Sequence, residues 1–416
     1  MIYFFSGKSK FFTFVCIIYM MLNNRQRFLM HQAQTSEFPV MLEISGAEGN
    51  YLIDVQGKRY LDLISGISVS HLGHGNEAVK KAVITQMDKH MHVMIYGEFI
   101  QSSQALLAER LCGLLPSSLD AVYLLNSGAE ATDVAMKLAK RVTGKPNIIA
   151  CKQAYHGSTH AALSLNSEEY YQQAYRPLLP GIGFIEFNSI DSLSLIDSQT
   201  ACVFVEVIRG EAGYIPAEPK FLQSLREACD KHGCLLVFDE IQSGMGKTGK
   251  HFAFEHYGII PDILLLGKAL GAGMPIGAVV SSAERMKSLS YHPILGHITT
   301  FGGNAVVAAA ALAGIEELER LDLVKQVPAK EQLFRSLLTH TAIQKIDGLG
   351  LMLALELDNF DNTLKVIGHC MEMGLISDWF LFASNKVRIA PPLTISEQEI
   401  KEACSILNKA LSLVYG

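Results

Sequence analysis

The sequence has no surplus of basic residues, no close cysteine pair and no apolar run long enough to span a membrane. Each absence removes a class of function. Its 35 Lys and Arg stand against 41 Asp and Glu, a net charge of −6, and with a pI near 6.2 nothing marks a nucleic-acid surface. The eight cysteines (Cys16, Cys112, Cys151, Cys202, Cys229, Cys234, Cys370 and Cys404) include no Cys-x-x-Cys pair and no His/Cys cluster at zinc spacing. Most lie inside apolar runs, which reads as buried free thiols in a reducing compartment and therefore a cytoplasmic protein. Phe11 to Leu22 follows Lys8 and Lys10 in the order of a signal sequence. The run is shorter than the roughly 20 residues of a comfortable span, and no small-x-small cleavage site follows it. Residues 1–30 are therefore set apart as an atypical extension in which Met20, Met21 and Met30 are alternative starts, an uncleaved anchor being the rival reading.

What is present is the composition of a globular chain. Its 416 residues, 49% hydrophobic and 18% charged, suffice for a large core in two or three domains. Tyr51 to Leu63 alternates apolar and polar residues around Gln56-Gly57, a hairpin pattern. Helical spacing covers Glu77 to about His90 and Ser102 to Leu115. Strand-like runs then alternate with helical ones. Ala121 to Leu125, Asn147 to Ala150, Ala201 to Val207, Leu235 to Phe238, Ile263 to Leu266 and the pair Val279-Val280 are strand-like. Glu130 to Thr143 and Lys220 to His232 are helical. This order predicts an α/β fold with a largely parallel sheet covered by helices on both faces. An alanine-rich helix, Ala305 to Arg320, follows. The pattern then restarts with a helix from Ala329 to His340, a strand from Leu351 to Leu357 and helices from Thr363 and Glu397, which indicates a smaller C-terminal α+β domain.

Two residues sit where such a sheet places its chemistry. Asp239 ends one buried strand and Lys268 lies just past another, and open α/β sheets bind ligands beyond the carboxyl ends of their strands. A lysine and an aspartate there suit pyridoxal phosphate (PLP), the lysine as Schiff base and the aspartate on the pyridinium nitrogen. Alone, each reads equally as a surface lysine or a turn-capping aspartate. Asn126-Ser127-Gly128-Ala129-Glu130 opens a helix with small residues, a phosphate site or ordinary capping. Tyr155 offers a ring to stack on a flat cofactor, whereas the neighbouring His156 reads better as a buried, satisfied histidine. Glu206 and Glu211 lie at and beyond a strand end, and for one of them an ordinary loop anion is the alternative reading. Thr300 offers a hydroxyl to a phosphate. Arg388, before Pro391-Pro392, is the natural fork for a carboxylate.

Taken together these residues resemble the class III (ω-amino-acid) aminotransferases. The resemblance runs from about residue 38 to the end. It rests on Gly73-His74, Asn126 to Glu130, Tyr155-His156-Gly157, Glu206 to Gly213, Asp239 to Gly244, Leu266 to Ala272, Thr300 to Asn304 and Arg388 to Pro392, in the family's order. It implies the PLP-dependent transferase fold of type I: a mostly parallel, seven-stranded central sheet in a large domain (76–318), with a small α+β domain from segments 31–75 and 319–416. It implies that Lys268 forms the internal aldimine and Asp239 keeps the pyridine nitrogen protonated. Gln242 would reach the ring's 3-oxygen, while Tyr155 and Ile241 sandwich the ring. Ser127, Gly128 and Ala129 would hold the phosphate, completed by Thr300 of the second subunit. Arg388 would bind the acid substrate's carboxylate, with Glu211 its partner when that position is empty. The implied protein is a homodimer with shared sites that moves an amino group from an amino acid or ω-amine to an oxo-acid, 2-oxoglutarate above all, through pyridoxamine phosphate. Its partners are small molecules, with no nucleic acid and no membrane.

The chain departs from that pattern in two places. Ser158 stands where ornithine, acetylornithine and 4-aminobutyrate enzymes carry Arg, and Ile67 falls where ornithine-type enzymes place Tyr. The site therefore lacks a fixed cation for a distal carboxylate, with Arg209 a speculative substitute. An aminomutase, such as a glutamate-semialdehyde type, and a non-catalytic PLP-binding protein are the alternatives.

Overall fold

The computed structural model describes residues 22–96 and 99–416. The apolar run from Phe11 lies outside them apart from Leu22. Chain contacts define two units, residues 1–47 with 52–59, and residues 48–51 with 60–416. In the first, a helix Asn24–His31 unanticipated from the sequence is closed by a capping box between Asn23 and Gln26, and it buries no residue. The expected turn is also there: Asp54 Oδ1 accepts from the Gln56 and Lys58 amides at 2.8 and 2.9 Å. Gly57 takes the positive φ of +83° that this tight reversal requires.

The second unit is built around a seven-stranded sheet. Its strands, in chain order, are β1 (Ala121–Leu125), β2 (Asn147–Cys151), β3 (Ile182–Ile185), β4 (Thr200–Val205), β5 (Leu235–Asp239), β6 (Ile263–Gly267) and β7 (Gly277–Ser281). They lie in the order β1-β7-β6-β5-β4-β2-β3. β7 runs antiparallel to both its neighbours, and the pairs β6-β5, β5-β4, β4-β2 and β2-β3 are parallel. Strands β4 to β7 are buried at every position, which is why they read as continuous apolar runs rather than alternating ones. Apolar side chains form one cluster on each face of the sheet: Val203, Leu236 and Phe238 on one side, Cys202, Val237 and Leu265 on the other.

Helix α1 (Gly128–Thr143) leaves β1 and buries Ala131, Val134, Ala135, Leu138 and Ala139 along one stripe. It ends on Gly144 in the left-handed conformation, with Lys140 and Arg141 in its last turn. α2 (Pro219–His232) precedes β5, with proline in its first turn and Gly233 as left-handed cap. α3 (Ala305–Arg320) has the expected bounds. The next helix does not: α4 spans Leu323–Leu337 and carries Pro328 inside it, whereas the sequence pattern placed it from Ala329 to His340. One lost backbone donor is outweighed there by burial of Leu323, Val327 and Phe334.

The C-terminal part adds an antiparallel sheet of β8 (Lys345–Leu349), β9 (Met352–Glu356) and β10 (Lys386–Ile389). Leu375 and Ile376 pair in parallel with Leu61 and Asp62, so segments far apart in sequence share one ladder. The seven cysteines among the described residues are free, and six of them are buried.

Candidate active site

β5 and β6 lie side by side, with Asp239 opposite Leu265, and this register brings the two candidates to one sheet edge. Asp239 is buried at the end of β5. Its Oδ2 lies 2.7 Å from His156 Nδ1, and its Oδ1 accepts the Ile241 amide at 3.0 Å. Lys268 begins the turn after β6, half-buried, with a φ of +46° that a non-glycine residue adopts only under constraint. Burial lowers its pKa below the usual lysine value; Glu211, Asp239 and Glu206 draw it back up, and Arg388 lowers it again.

His156 is buried, as the sequence reading had it, and the partner of its Nδ1 is Asp239 itself. Burial opposes its protonation, but the hydrogen bond and charge of Asp239, with Glu206 behind, raise its pKa overall. Glu206 is likewise more than a loop anion. It is buried beneath the site, accepts the Tyr155 and Gly210 amides at 3.1 and 3.0 Å, and is pushed up to about 7 by burial first and by Asp239. His156 and Glu206 were missed as a pair because they lie on separate loops joined only through the sheet.

At the start of α1, Ser127 caps the helix by accepting from the Glu130 amide at 3.2 Å. Gly128 and Ala129 stand in its first turn, where amides have no intrahelical acceptor. Gly128 is required: a Cβ there would lie 2.7 Å from Ile241 Cδ1. Gly157 is tighter still, at φ +130° and 2.5 Å from the Ala129 methyl. Tyr155 is half-buried and its hydroxyl meets Ser158 Oγ at 3.0 Å. Gln242 donates to Glu211 Oε1 at 3.4 Å, and its own buried Oε1 has no partner. Thr300 is exposed; in its own chain it is Thr299 that meets this edge, accepting from Asn126 Nδ2 at 2.9 Å.

Arg388, on β10, is buried and fully engaged. Its Nη2 and Nη1 reach the two oxygens of Glu211 at 2.9 and 3.3 Å, and its Nε donates to Asp378 at 2.6 Å. Nη1 also donates to the Tyr214 hydroxyl at 3.0 Å, and the guanidinium lies 4.2 Å over the Phe380 ring. Burial alone would raise Glu211, yet Arg388 holds it below the usual carboxylate range. Arg209 does not replace the missing cation. It donates to the Lys152 carbonyl and Gln153 and lies 4.5 Å over the Phe187 ring.

The site also includes a strained turn that no sequence signal announced. Ser65, Gly66, Ile67 and Ser68 all have positive φ, between +48° and +64°, with Ser65 Oγ anchored on the Ala390 carbonyl at 2.7 Å. Asp62 Oδ1 holds the Ile64 and Ser65 amides, each at 2.8 Å. Ile67 thus reaches its position only through a left-handed backbone.

A lysine past one strand, an aspartate ending its neighbour, a small-residue helix start and an arginine gated by a glutamate define a PLP-dependent transferase of fold type I. The residues present fit the cofactor: the partnerless Gln242 Oε1, the first-turn amides of Gly128 and Ala129 without intrahelical acceptors, and the Ile241 side chain packed against Gly128 offer an acceptor, donors and apolar cover. Comparison with known proteins agrees. The aminotransferase class-III model matches residues 32–411. An acetylornithine aminotransferase of Archaeoglobus fulgidus is 36% identical over 88% of this chain and 94% of its own. A [LysW]-aminoadipate semialdehyde/glutamate semialdehyde transaminase of Sulfurisphaera tokodaii is 36% identical over 89% of this chain and 95% of its own. Among solved structures, the ornithine aminotransferase of Toxoplasma gondii superposes with a TM-score of 0.88 at 28% identity, over 99% of both chains. The chain belongs to the class III aminotransferases. It is a PLP-dependent transaminase acting on a small-molecule amino donor and an oxo-acid acceptor. Among the described residues no helix is long and apolar enough to cross a membrane.

Proposed function

We propose that the transamination runs at the β5/β6 edge, with Lys268 as the proton-moving base and 2-oxoglutarate as the acceptor. The observation that carries this reading is the convergence of Lys268, Asp239 and the Glu211–Arg388 pair around one space. PLP, when bound, supplies a carbonyl that condenses with amines and a ring that draws electrons from the donor carbon. Ser127, Gly128 and Ala129 hold its phosphate, Tyr155 and Ile241 its two faces, and Gln242 its ring oxygen. Asp239, steadied by His156, keeps the proton on the ring nitrogen.

Lys268 Nζ, its pKa lowered by burial, is available in the neutral form to take the proton from the reacting carbon of the donor. When a donor without an α-carboxylate reacts, Glu211 stays on Arg388 and keeps that guanidinium neutralised. When an oxo-acid enters, Glu211 withdraws and the Arg388 fork takes the carboxylate.

The protein works as a cytoplasmic homodimer with shared sites. Exposed apolar side chains support this. Met91, Met94, Phe99 and Ile100 on one segment, and Ile294, Leu295, Ile298 and Phe301 on the segment carrying Thr300, form surfaces of the kind that partners cover. Thr300 then completes the partner's phosphate site. The division into a large domain, 76–318, and a small one, 31–75 with 319–416, belongs to the same proposal, supported by the ladder of Leu61-Asp62 with Leu375-Ile376.

The test is a visible absorbance scan of the PLP-loaded protein beside Lys268→Ala, with a panel of amines. A band dependent on Lys268 that an amine bleaches and 2-oxoglutarate restores supports the reading. A band that no amine discharges would favour a non-catalytic PLP protein, and turnover without any oxo-acid would favour an aminomutase.

A further inference from the structure

A cavity of about 340 Å³ opens beside Tyr155, lined by Tyr155, Ser158, His160, Asn166, Tyr171 and Leu381 among others. Its walls connect it to the gate. Tyr171 donates to the Leu381 carbonyl at 3.4 Å, and the Leu381 amide points back to Glu211 Oε2 at 3.4 Å. Leu381 thus joins this space to Glu211, the carboxylate whose charge acts on Lys268.

The lining sets a few polar side chains among leucine and tyrosine surface. Tyr155 and Ser158 bond each other. His160 Nε2 lies 2.8 Å from the Pro177 carbonyl; a carbonyl only accepts, so that nitrogen is the donor. No Asp, Glu, Lys or Arg is among the lining residues. The arginines nearby in sequence are committed elsewhere: Arg176 to Glu169 and Gln172, and Arg209 to Lys152, Gln153 and the Phe187 face. A carboxylate placed here would lose water without gaining a cation, while a carboxamide, hydroxyl or short apolar group would meet hydroxyls and aromatic edges.

We propose that this cavity is a subsite for an uncharged group, so that the preferred amino donor bears no carboxylate at its distal end. Ser158 and the three tyrosines of its lining, Tyr155, Tyr171 and Tyr175, set that preference. The inference rests on the reading of Lys268 as the reacting centre.

The test compares 4-aminobutanamide with 4-aminobutyrate, which share shape and differ in distal charge. Binding to PLP-loaded Lys268→Ala is measured by calorimetry, which needs no turnover, and conversion is followed in the Lys268 enzyme. Both are repeated with Ser158→Arg, a change at an exposed position. The amide is expected to bind roughly tenfold more tightly than the acid, and Ser158→Arg to reverse that order by a similar factor, the size of one charge-assisted contact. Equal or tighter binding of 4-aminobutyrate by the Ser158 protein overturns the proposal, as does a ratio that Ser158→Arg leaves unmoved. Failure of glutamate to react with the Lys268 enzyme would instead strike the functional reading, because the binding ratio is read without amino-group transfer.

Discussion

Asp239 and Glu211 are both buried carboxylates whose charge acts on Lys268, yet the chain holds them in opposite ways. Asp239 closes a central strand and is gripped from the large sheet's own loops, by His156 at 2.7 Å and by the Ile241 amide. Glu211 sits in a loop, and its strongest partner, Arg388, comes from the antiparallel C-terminal sheet. The first arrangement suits a charge that must stay still beneath a cofactor. The second suits one that must leave when a substrate carboxylate arrives. On the proposed function, preorganisation and exchange are distributed between a fixed floor and a movable gate.

Breaking the floor should cost most. Lys268→Ala should lower kcat by roughly 10⁴-fold, the upper range for a lost general base, measured as single-turnover bleaching of the cofactor band. Asp239→Asn should lower kcat by about 10²- to 10³-fold, as expected for a lost electrostatic contact to developing charge. PLP affinity, read by equilibrium dialysis, should fall far less.

Breaking the gate should split the two half-reactions instead. Arg388→Ala should reduce kcat/KM for 2-oxoglutarate by about 10²-fold, because it leaves Glu211 and Asp378 without their cation, while a simple alkylamine half-reaction is spared. Glu211→Ala should act the other way round. With Arg388 no longer neutralised, oxo-acid affinity is kept or raised, and ω-amine donors lose about tenfold in kcat/KM. Equal losses in both half-reactions for either variant would erase the distinction between floor and gate.

The smallest effect sharpens the comparison through pH. Burial raises Glu206 from the ordinary glutamate value of 4.5 to about 7. The folded protein therefore holds that proton more tightly than the unfolded chain does. Its contribution to stability is complete below pH 4.5 and is lost as pH rises through about 7. Glu206→Gln should flatten this segment of the stability-versus-pH curve, by at most about 2 to 3 kcal/mol, as followed by urea unfolding at several pH values.

Much of the floor was legible in the residue order. Strands β4 to β6 announce themselves as unbroken apolar runs, and Asp239 and Lys268 are marked by falling immediately after two of them. Ser127-Gly128-Ala129 is legible because small residues at a helix start carry a local meaning. His156 and Glu206 were not legible as partners of Asp239, since each belongs to its own loop and only the β5-β4-β2 pairing brings them together. The antiparallel course of β7 was equally hidden: Gly277 to Ser281 is as apolar as its parallel neighbours, and direction leaves no trace in a buried strand.

The amino-acid sequence by itself determined the alternation of elements, the apolar central strands and the identity of the lysine and aspartate at their ends, because those follow from local periodicity and burial. Only the tertiary structure decided that Asp378 and Tyr214 hold Arg388 beside Glu211, that Arg209 is spent on Phe187 and Lys152, and that a cavity without Asp, Glu, Lys or Arg in its lining lies beside Tyr155. Those outcomes depend on contacts between segments up to 177 residues apart, whose geometry no local pattern encodes.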